Sequence, residues 1–337
     1  MLPPVQAAFL ASVLAILMVL GTGTFSRVSA SVATAYRDTV VDESRTVPAY
    51  LTAVDPDRLV RLHTLRFWAR AGEKRYITSE IVGWQPTTTP DQLLMAAVSV
   101  SCSPGSLVTS AGATQNLLRG TAARFNPRFV FTPERTGMAA CRLDATGSRP
   151  RPKLFSPARQ NVWRVRDGSF LSVSRPLPRW SRNLTSSARS RVLDPGERWA
   201  PVARTVRVGD VRSFELVSDH KVTTCSATGG SRDSTTLGKD MCTNRVSRAG
   251  STYRLVVTAS QRTRSGGPCG ERQVVVSRRV GVAPDVHHRM LFTKGLVSVS
   301  HAAGCVPRFR IVGTIVHLRG ADLMVHAPSE RTAVLPR

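Results

Sequence analysis

Two patterns of apolar and polar positions divide the chain. Residues 2–26 carry no charged side chain, and Val5–Leu20 is an almost unbroken apolar run. That length predicts an N-terminal apolar helix, either the core of a signal peptide or a short membrane anchor. Val28-Ser29-Ala30 places small residues where a signal peptidase would cut, so residues 1–30 are expected to be cleaved or kept as an anchor. A polar stretch over residues 31–45 reads as a stalk.

From residue 46 onward the pattern changes to short runs rich in strand formers, separated by turn residues. Leu59–Trp68, Tyr76–Thr78, Ile81-Val82, Val98–Cys102, Arg128–Thr132 and Phe170–Ser174 are predicted strands of a first domain, 46–175. Thr89-Pro90-Asp91 before Gln92-Leu93-Leu94-Met95 predicts one capped helical turn, with proline at the first helical position. The Arg/Pro/Ser-rich stretch 176–200 reads as an interdomain linker. Pro176-Leu177-Pro178 within it could be taken for a proline-rich ligand.

A second domain, 201–328, repeats the strand pattern. Thr205–Val208 and Val211–Leu216 flank Gly209-Asp210, which predicts a hairpin. Further strands are expected at Val222–Cys225, Thr252–Val257, Gln273–Ser277, Leu296–Ser300, Phe309–Val312, Thr314–Leu318 and Leu323–His326. Residues 329–337 read as a tail. No long segment with helical period follows the N-terminal run. The expected fold class is mainly β: two β-sandwich domains of immunoglobulin-like architecture after an N-terminal apolar helix.

Six cysteines, Cys102, Cys141, Cys225, Cys242, Cys269 and Cys305, all lie after the apolar run. An even number in an exported chain predicts a disulfide framework. No two stand in C-x-x-C spacing, so a zinc ribbon or thioredoxin-like site has no support. Cys102 and Cys141 both sit in strand-like segments of the first domain and are expected to pair. Nearest-neighbour pairing gives Cys225–Cys242 and Cys269–Cys305. Arg27 follows the apolar run, which by the positive-inside rule alone would keep the body in the cytoplasm. The cysteines argue for the opposite orientation, with the body outside.

Residues 135–143 resemble the F strand of immunoglobulin-like domains, in which a glycine stands four residues before the second cysteine, as Gly137 does before Cys141. Ala139 replaces the tyrosine expected two before that cysteine, and no tryptophan lies between Cys102 and Cys141. The resemblance implies a sandwich architecture and no particular function.

Charge changes the picture most. The chain holds 47 basic and 22 acidic residues, a formal net charge of +25, and only five of the basic residues are lysine. Such arginine usage, with abundant Ala, Val and Pro, is a mark of GC-rich coding. It is also unevenly spread. Residues 31–143 carry a net +4 and residues 144–337 a net +20. That asymmetry favours polyanionic partners, here an anionic lipid or wall polymer, with another surface protein as the other candidate. Nucleic acid is not expected as a partner. Aromatic residues are 6% of the chain and do not alternate with the basic ones as a base-stacking platform requires.

Candidate chemistry is sparse. His287, His288, His301, His317 and His326 crowd the C-terminal part. Neighbouring residues on a strand point to opposite faces, so His287 and His288 do not share an ion, whereas His317 and His326 could meet across the intervening turn. Neither a nucleophile elbow nor a phosphate-binding glycine loop is present. No cofactor, metal or catalytic residue is assigned. Asn183-Leu184-Thr185 matches a glycosylation acceptor. The expected function is a non-catalytic, exported or membrane-anchored envelope protein with a structural or binding role. An extracytoplasmic hydrolase with an unusual site is the alternative.

Overall fold

A computed structural model describes residues 41–46, 53–54, 59–87, 93–105, 108–148, 163–166, 168–225, 249–284 and 288–337. The expected N-terminal helix, its cleavage site and most of the stalk lie outside them. Among the described residues, no helix is long and apolar enough to cross a membrane. They contain no α-helix at all, only strands and one 3-10 turn at Ala327–Ser329.

The first half contributes eleven strands: β1 (Val41–Thr46), β2 (Ala53–Val54), β3 (Val60–Ala69), β4 (Arg75–Trp84), β5 (Leu93–Ser103), β6 (Ser110–Leu118), β7 (Ala122–Phe125), β8 (Arg128–Phe131), β9 (Gly137–Ser148), β10 (Trp163–Val165) and β11 (Phe170–Ser174). Strand β4 organises one sheet. Strands β8 and β7 pair with its two halves on one side, and β11 and β10 do so on the other. Outside these, β1 pairs with β11 and β2 with β10. The facing sheet runs β3-β9-β5-β6.

Ten further strands follow: β12 (Arg182–Thr185), β13 (Arg191–Leu193), β14 (Arg198–Arg207), β15 (Ser213–Thr224), β16 (Ser251–Thr263), β17 (Gln273–Val282), β18 (His288–Ser298), β19 (Cys305–Gly320), β20 (Leu323–Val325) and β21 (Arg331–Pro336). Here β15 takes the place of β4. It pairs with β18 on one side and with β21 and β20 on the other, and these in turn hold β12 and β13. The facing sheet runs β14-β19-β16-β17.

Split strands counted as one, both halves share one connectivity. Each has eight strands, with the order 1-8-3-6 in the first sheet and 2-7-4-5 in the second. This is the double Greek key of a jelly roll. The sandwich expectation therefore stands, while the connectivity differs from the immunoglobulin arrangement. The disulfide carries the same message. An immunoglobulin disulfide joins two sheets, whereas Cys102 and Cys141 are directly opposed on neighbouring strands of one sheet, with Cα atoms 4.0 Å apart.

Alternation builds both cores. Along β19, Phe309, Ile311 and Ile315 turn inward between arginine, valine and threonine. They meet Phe214, Leu216, Val222 and Val334 from the opposite sheet. In the first jelly roll Leu65, Val98 and Leu143 face Ile77, Ile81, Phe129 and Leu171. Each such side chain contributes about 1.5–3 kcal/mol on burial. Trp163 is fully buried against Phe125, with ring centroids 5.7 Å apart. Only glycine fits beneath that pair, since a Cβ on Gly83 would lie 2.8 Å from Phe125 and 3.0 Å from Trp163.

Several expectations are corrected. Residues 89–92 of the expected helical turn lie outside the described residues, and its remaining residues belong to a strand: Leu94, Ala96, Val98 and Val100 alternate inward along β5, which pairs with β6 and β9 on its two sides. Two neighbouring strands outweigh a local proline-capped helix signal. The 176–200 stretch contains β12, β13 and the start of β14, so it closes the second jelly roll instead of linking two domains. Leu177 pairs with Lys74 and packs against a buried cluster, so Pro176-Leu177-Pro178 is not displayed as a ligand. The 329–337 tail contains β21, which lies between β12 and β15. The last stalk residues belong to β1. Finally, Gly209-Asp210 makes no hairpin, because β14 and β15 belong to opposite sheets. The turn carries the chain across the sandwich, and turn residues alone do not distinguish the two outcomes.

Candidate functional site

Residues 41–337 form one compact unit, and a polar seam joins its two jelly rolls. Arg128 of β8 donates from Nε to Asp219 Oδ1 of β15 at 2.9 Å, and both side chains are about nine-tenths buried. Arg331 of β21 donates to the carbonyls of Arg128 and Ser110. Asn183 donates to Val130 O and accepts from Val130 N, each at 2.8 Å. This bidentate clasp occupies the side-chain amide, so the glycosylation acceptor is used internally in the folded protein. Tyr76, Val130, Val217, Ala333 and Leu335 form an apolar cluster that includes residues of both halves.

Burial dominates the electrostatics of the seam. It pushes the Asp219 carboxyl above its ordinary range, although Arg128 and Arg331 pull it down. It also lowers Lys221 and Arg331. A cleft of about 180 Å³ opens here, lined by Gly112, Thr114, Asp219, Lys221, Pro328, Ser329 and Arg331. One residue further along β15, His220 points into the core and meets Glu330 through Nδ1; neither side chain is exposed. Glu330 also accepts from the Lys221 amide at 3.0 Å. Burial raises the Glu330 carboxyl, against the pull of His220.

The histidines are dispersed. His317 bonds the carbonyls of Leu193 and Arg319 inside the second jelly roll. His288 and His326 both bond the Thr223 hydroxyl, at 2.7 and 2.6 Å, and that threonine is fully buried. His317 and His326 thus do not meet, because β19 and β20 lie in opposite sheets. His301 is exposed, 3.9 Å from Asp210, and His287 lies outside the described residues. Among the described residues, no three His, Cys, Asp or Glu side chains gather as a metal site would require.

The cysteines hold one corner in both jelly rolls. Cys102–Cys141 ties β5 to β9. Cys269–Cys305 ties the turn after β16 to the start of β19, the strand in the corresponding place. Both pairings agree with expectation. Cys225 is also disulfide-bonded, while Cys242 lies outside the described residues. Such bonds persist in oxidising compartments, so they fit an extracytoplasmic protein.

The most unusual surface is the outer face of β14-β19-β16-β17. These four strands contain ten arginines and neither aspartate nor glutamate. The corresponding strands of the first jelly roll hold three arginines and one aspartate, and Arg61 pairs with that Asp144 at 2.6 Å. Arg198, Arg207, Arg254, Arg279, Arg308 and Arg310 are all exposed. Among the described residues, no ion pair is formed by any of them. Two pairs stand directly opposite in register, Arg207 with Arg308 and Arg254 with Arg279. Like charges placed directly opposite each other are mutually destabilising. The seam uses the outward residues of β15, so this sheet faces away from the first jelly roll. At one end, Thr205, Val206, Arg207, Arg264, Val306 and Arg308 line a cleft of about 440 Å³.

Sequence reasoning found the basic bias but missed this face. The signal was present in alternations such as Arg308-Phe309-Arg310-Ile311, which put guanidinium groups on the side opposite the core. The seam pair Arg128–Asp219 and the buried His220–Glu330 pair left no comparable signal, since their partners are 91 and 110 residues apart.

No known family and no curated protein matches the chain. Among solved structures, it is similar to a protein from Parabacteroides distasonis ATCC 8503, at 7% identity over 86% of this chain and 87% of that one, with a TM-score of 0.20. It is also similar to the N-terminal CBM22-1–CBM22-2 tandem domain of Xyn10C from Paenibacillus barcinonensis, at 8% identity over 89% and 98%, with a TM-score of 0.25. Superpositions this loose support no argument about the chain, and the strand pairing itself carries the jelly-roll assignment.

Proposed function

We propose that this protein is a non-catalytic binding module of the cell envelope, working outside the cytoplasm and attaching to an anionic envelope polymer through the second jelly roll. The apolar N-terminal run would export it or hold it at the membrane. The observation that carries the reading is the contrast between two sheets of the same topology, one with ten arginines and no acid, the other with three arginines and one acid. A coding habit or a general need for solubility would load both alike. Arginine suits the role because its planar fork pairs bidentately with oxyanions.

The test is retention of the full oxidised chain on an immobilised anionic polymer across a salt series. Retention should be strong at low salt and fall steeply toward physiological ionic strength, where charges are screened beyond about 8 Å. Replacing Arg254, Arg279, Arg308 and Arg310 by glutamine should abolish it. Replacing Arg61, Arg66, Arg135 and Arg142 of the first jelly roll, an equal change in net charge, should leave most of it. Equal loss in the two variants would refute an assignment to this face.

A further inference from the structure

Resting on that reading, we infer that the cleft of Thr205, Val206, Arg207, Arg264, Val306 and Arg308 is a seat for a phosphate group, and that the polymer it recognises is a phosphodiester chain lying along the strands of the arginine face.

Three observations lead there. The first is concentration of charge. Arg207 and Arg308 are cross-strand partners, and Arg264 reaches the same cleft from the turn after β16. Three guanidinium groups around one recess, with no carboxylate in its lining, form a site for an oxyanion with several acceptor oxygens. Val206 is buried beneath them, and Thr205 and Val306 complete the wall. A volume of about 440 Å³ lies within the range of small-molecule pockets, roughly 300–1,000 Å³. A phosphorylated sugar or polyol unit would fit.

The second is preorganisation. Three backbone bonds shape the turn that bears Arg264: Gly266 N to Thr263 O, Thr263 N to Gly267 O, and Cys269 N to Gln261 O. Cys269–Cys305 then ties that turn to the start of β19, three residues before Arg308. The backbone of the turn that bears Arg264 is thereby fixed by a covalent link, which lowers the ordering cost of binding.

The third is the layout of the remaining arginines. In register, Arg310 stands between Thr205 and Ser260, the next two outward rows are neutral, and then Arg198, Val316, Arg254 and Arg279 form a second charged row. Arg308 and Val316 are eight residues apart on β19, roughly 25 Å at the usual rise of a strand. An extended polyanion can touch both rows at once, and a single phosphate cannot. The face between them presents valine, threonine and serine, with Val274 its exposed large apolar side chain. It lacks the band of aromatic and leucine residues that would enter a bilayer, so a soluble polymer is favoured over a membrane surface.

The experiment uses the full oxidised chain and two variants, Arg207→Gln/Arg308→Gln at the cleft and Arg254→Gln/Arg279→Gln at the far row. The probes are glycerol 3-phosphate, poly(glycerol phosphate), polyglutamate and vesicles rich in phosphatidylglycerol. Phosphorus NMR line broadening reads the monomer, and equilibrium binding at low salt reads the others. The replaced side chains are exposed, and an unchanged thermal transition confirms folding. Loss of two charge-assisted contacts should weaken poly(glycerol phosphate) binding by about tenfold or more in the cleft variant, and abolish the broadening. The far-row variant should weaken polymer binding by about two- to threefold and leave the monomer signal intact. Equal weakening in the two variants, or polyglutamate bound as tightly as poly(glycerol phosphate), would overturn the seat while leaving polyanion attachment in place. Vesicles bound more tightly than the polymer would overturn the choice of polymer. No anionic polymer bound by the wild-type chain would remove the underlying function.

Discussion

Replacing Asp219 by asparagine should destabilise the protein by about 3–5 kcal/mol, because it removes the carboxylate that faces the buried guanidinium groups of Arg128 and Arg331. The Arg128–Asp219 contact is 2.9 Å long, with side chains 8% and 10% exposed. At an effective dielectric constant of about 20, its direct attraction is about 6 kcal/mol. Desolvation offsets most of that, at several kcal/mol per ion, which is why the net worth of the pair is small and the cost of breaking it large. The two partners are not equivalent. Arg331 also attracts Asp219, so Arg128→Met leaves the carboxylate partly compensated and should cost less than Asp219→Asn. The double change Arg128→Met/Asp219→Leu removes both charges and should recover most of the loss. Thermal unfolding of the oxidised chain reads the series, with Asp219→Asn lowering the midpoint by roughly 10 °C at about 2–4 °C per kcal/mol. A shift below about 2 °C, or additive losses in the double variant, would refute the view that this pair is a desolvated ionic clasp.

Glu330 has a raised carboxyl in the folded state, so the folded protein binds a proton that the unfolded chain has already released. Its contribution to stability is therefore complete below the ordinary carboxylate range and lost as pH rises through the folded value. Glu330→Gln should flatten the alkaline-going decline measured by urea unfolding at a series of pH values, and an unchanged slope would count against it. Replacing Cys269 and Cys305 by serine opens a crosslink spanning 36 residues. Loop entropy puts the cost at about 4 kcal/mol, and denaturant unfolding of the purified variant against wild type should show a loss of that order.

The sequence by itself determined what local pattern can determine. Alternation of period two marked most strands, because a side chain facing the core must be apolar whichever strand lies beside it. The pairings Cys102–Cys141 and Cys269–Cys305 could be read from spacing and context. Excess arginine in residues 144–337 was a matter of counting. Partnership was decided only by the tertiary structure. Whether Gly209-Asp210 closes a hairpin or crosses between sheets depends on β19, which pairs with β14, and on β18 and β21, which pair with β15, all distant in sequence from the turn. Pairing with β20 and β21 drew residues 182–193 out of a supposed linker, and composition carries no record of such pairing. The arginine face needed both levels. Each strand held its outward arginines already, but four strands from residues 198 to 320 had to be laid side by side, in register and with no acid among them, before scattered charges became one surface.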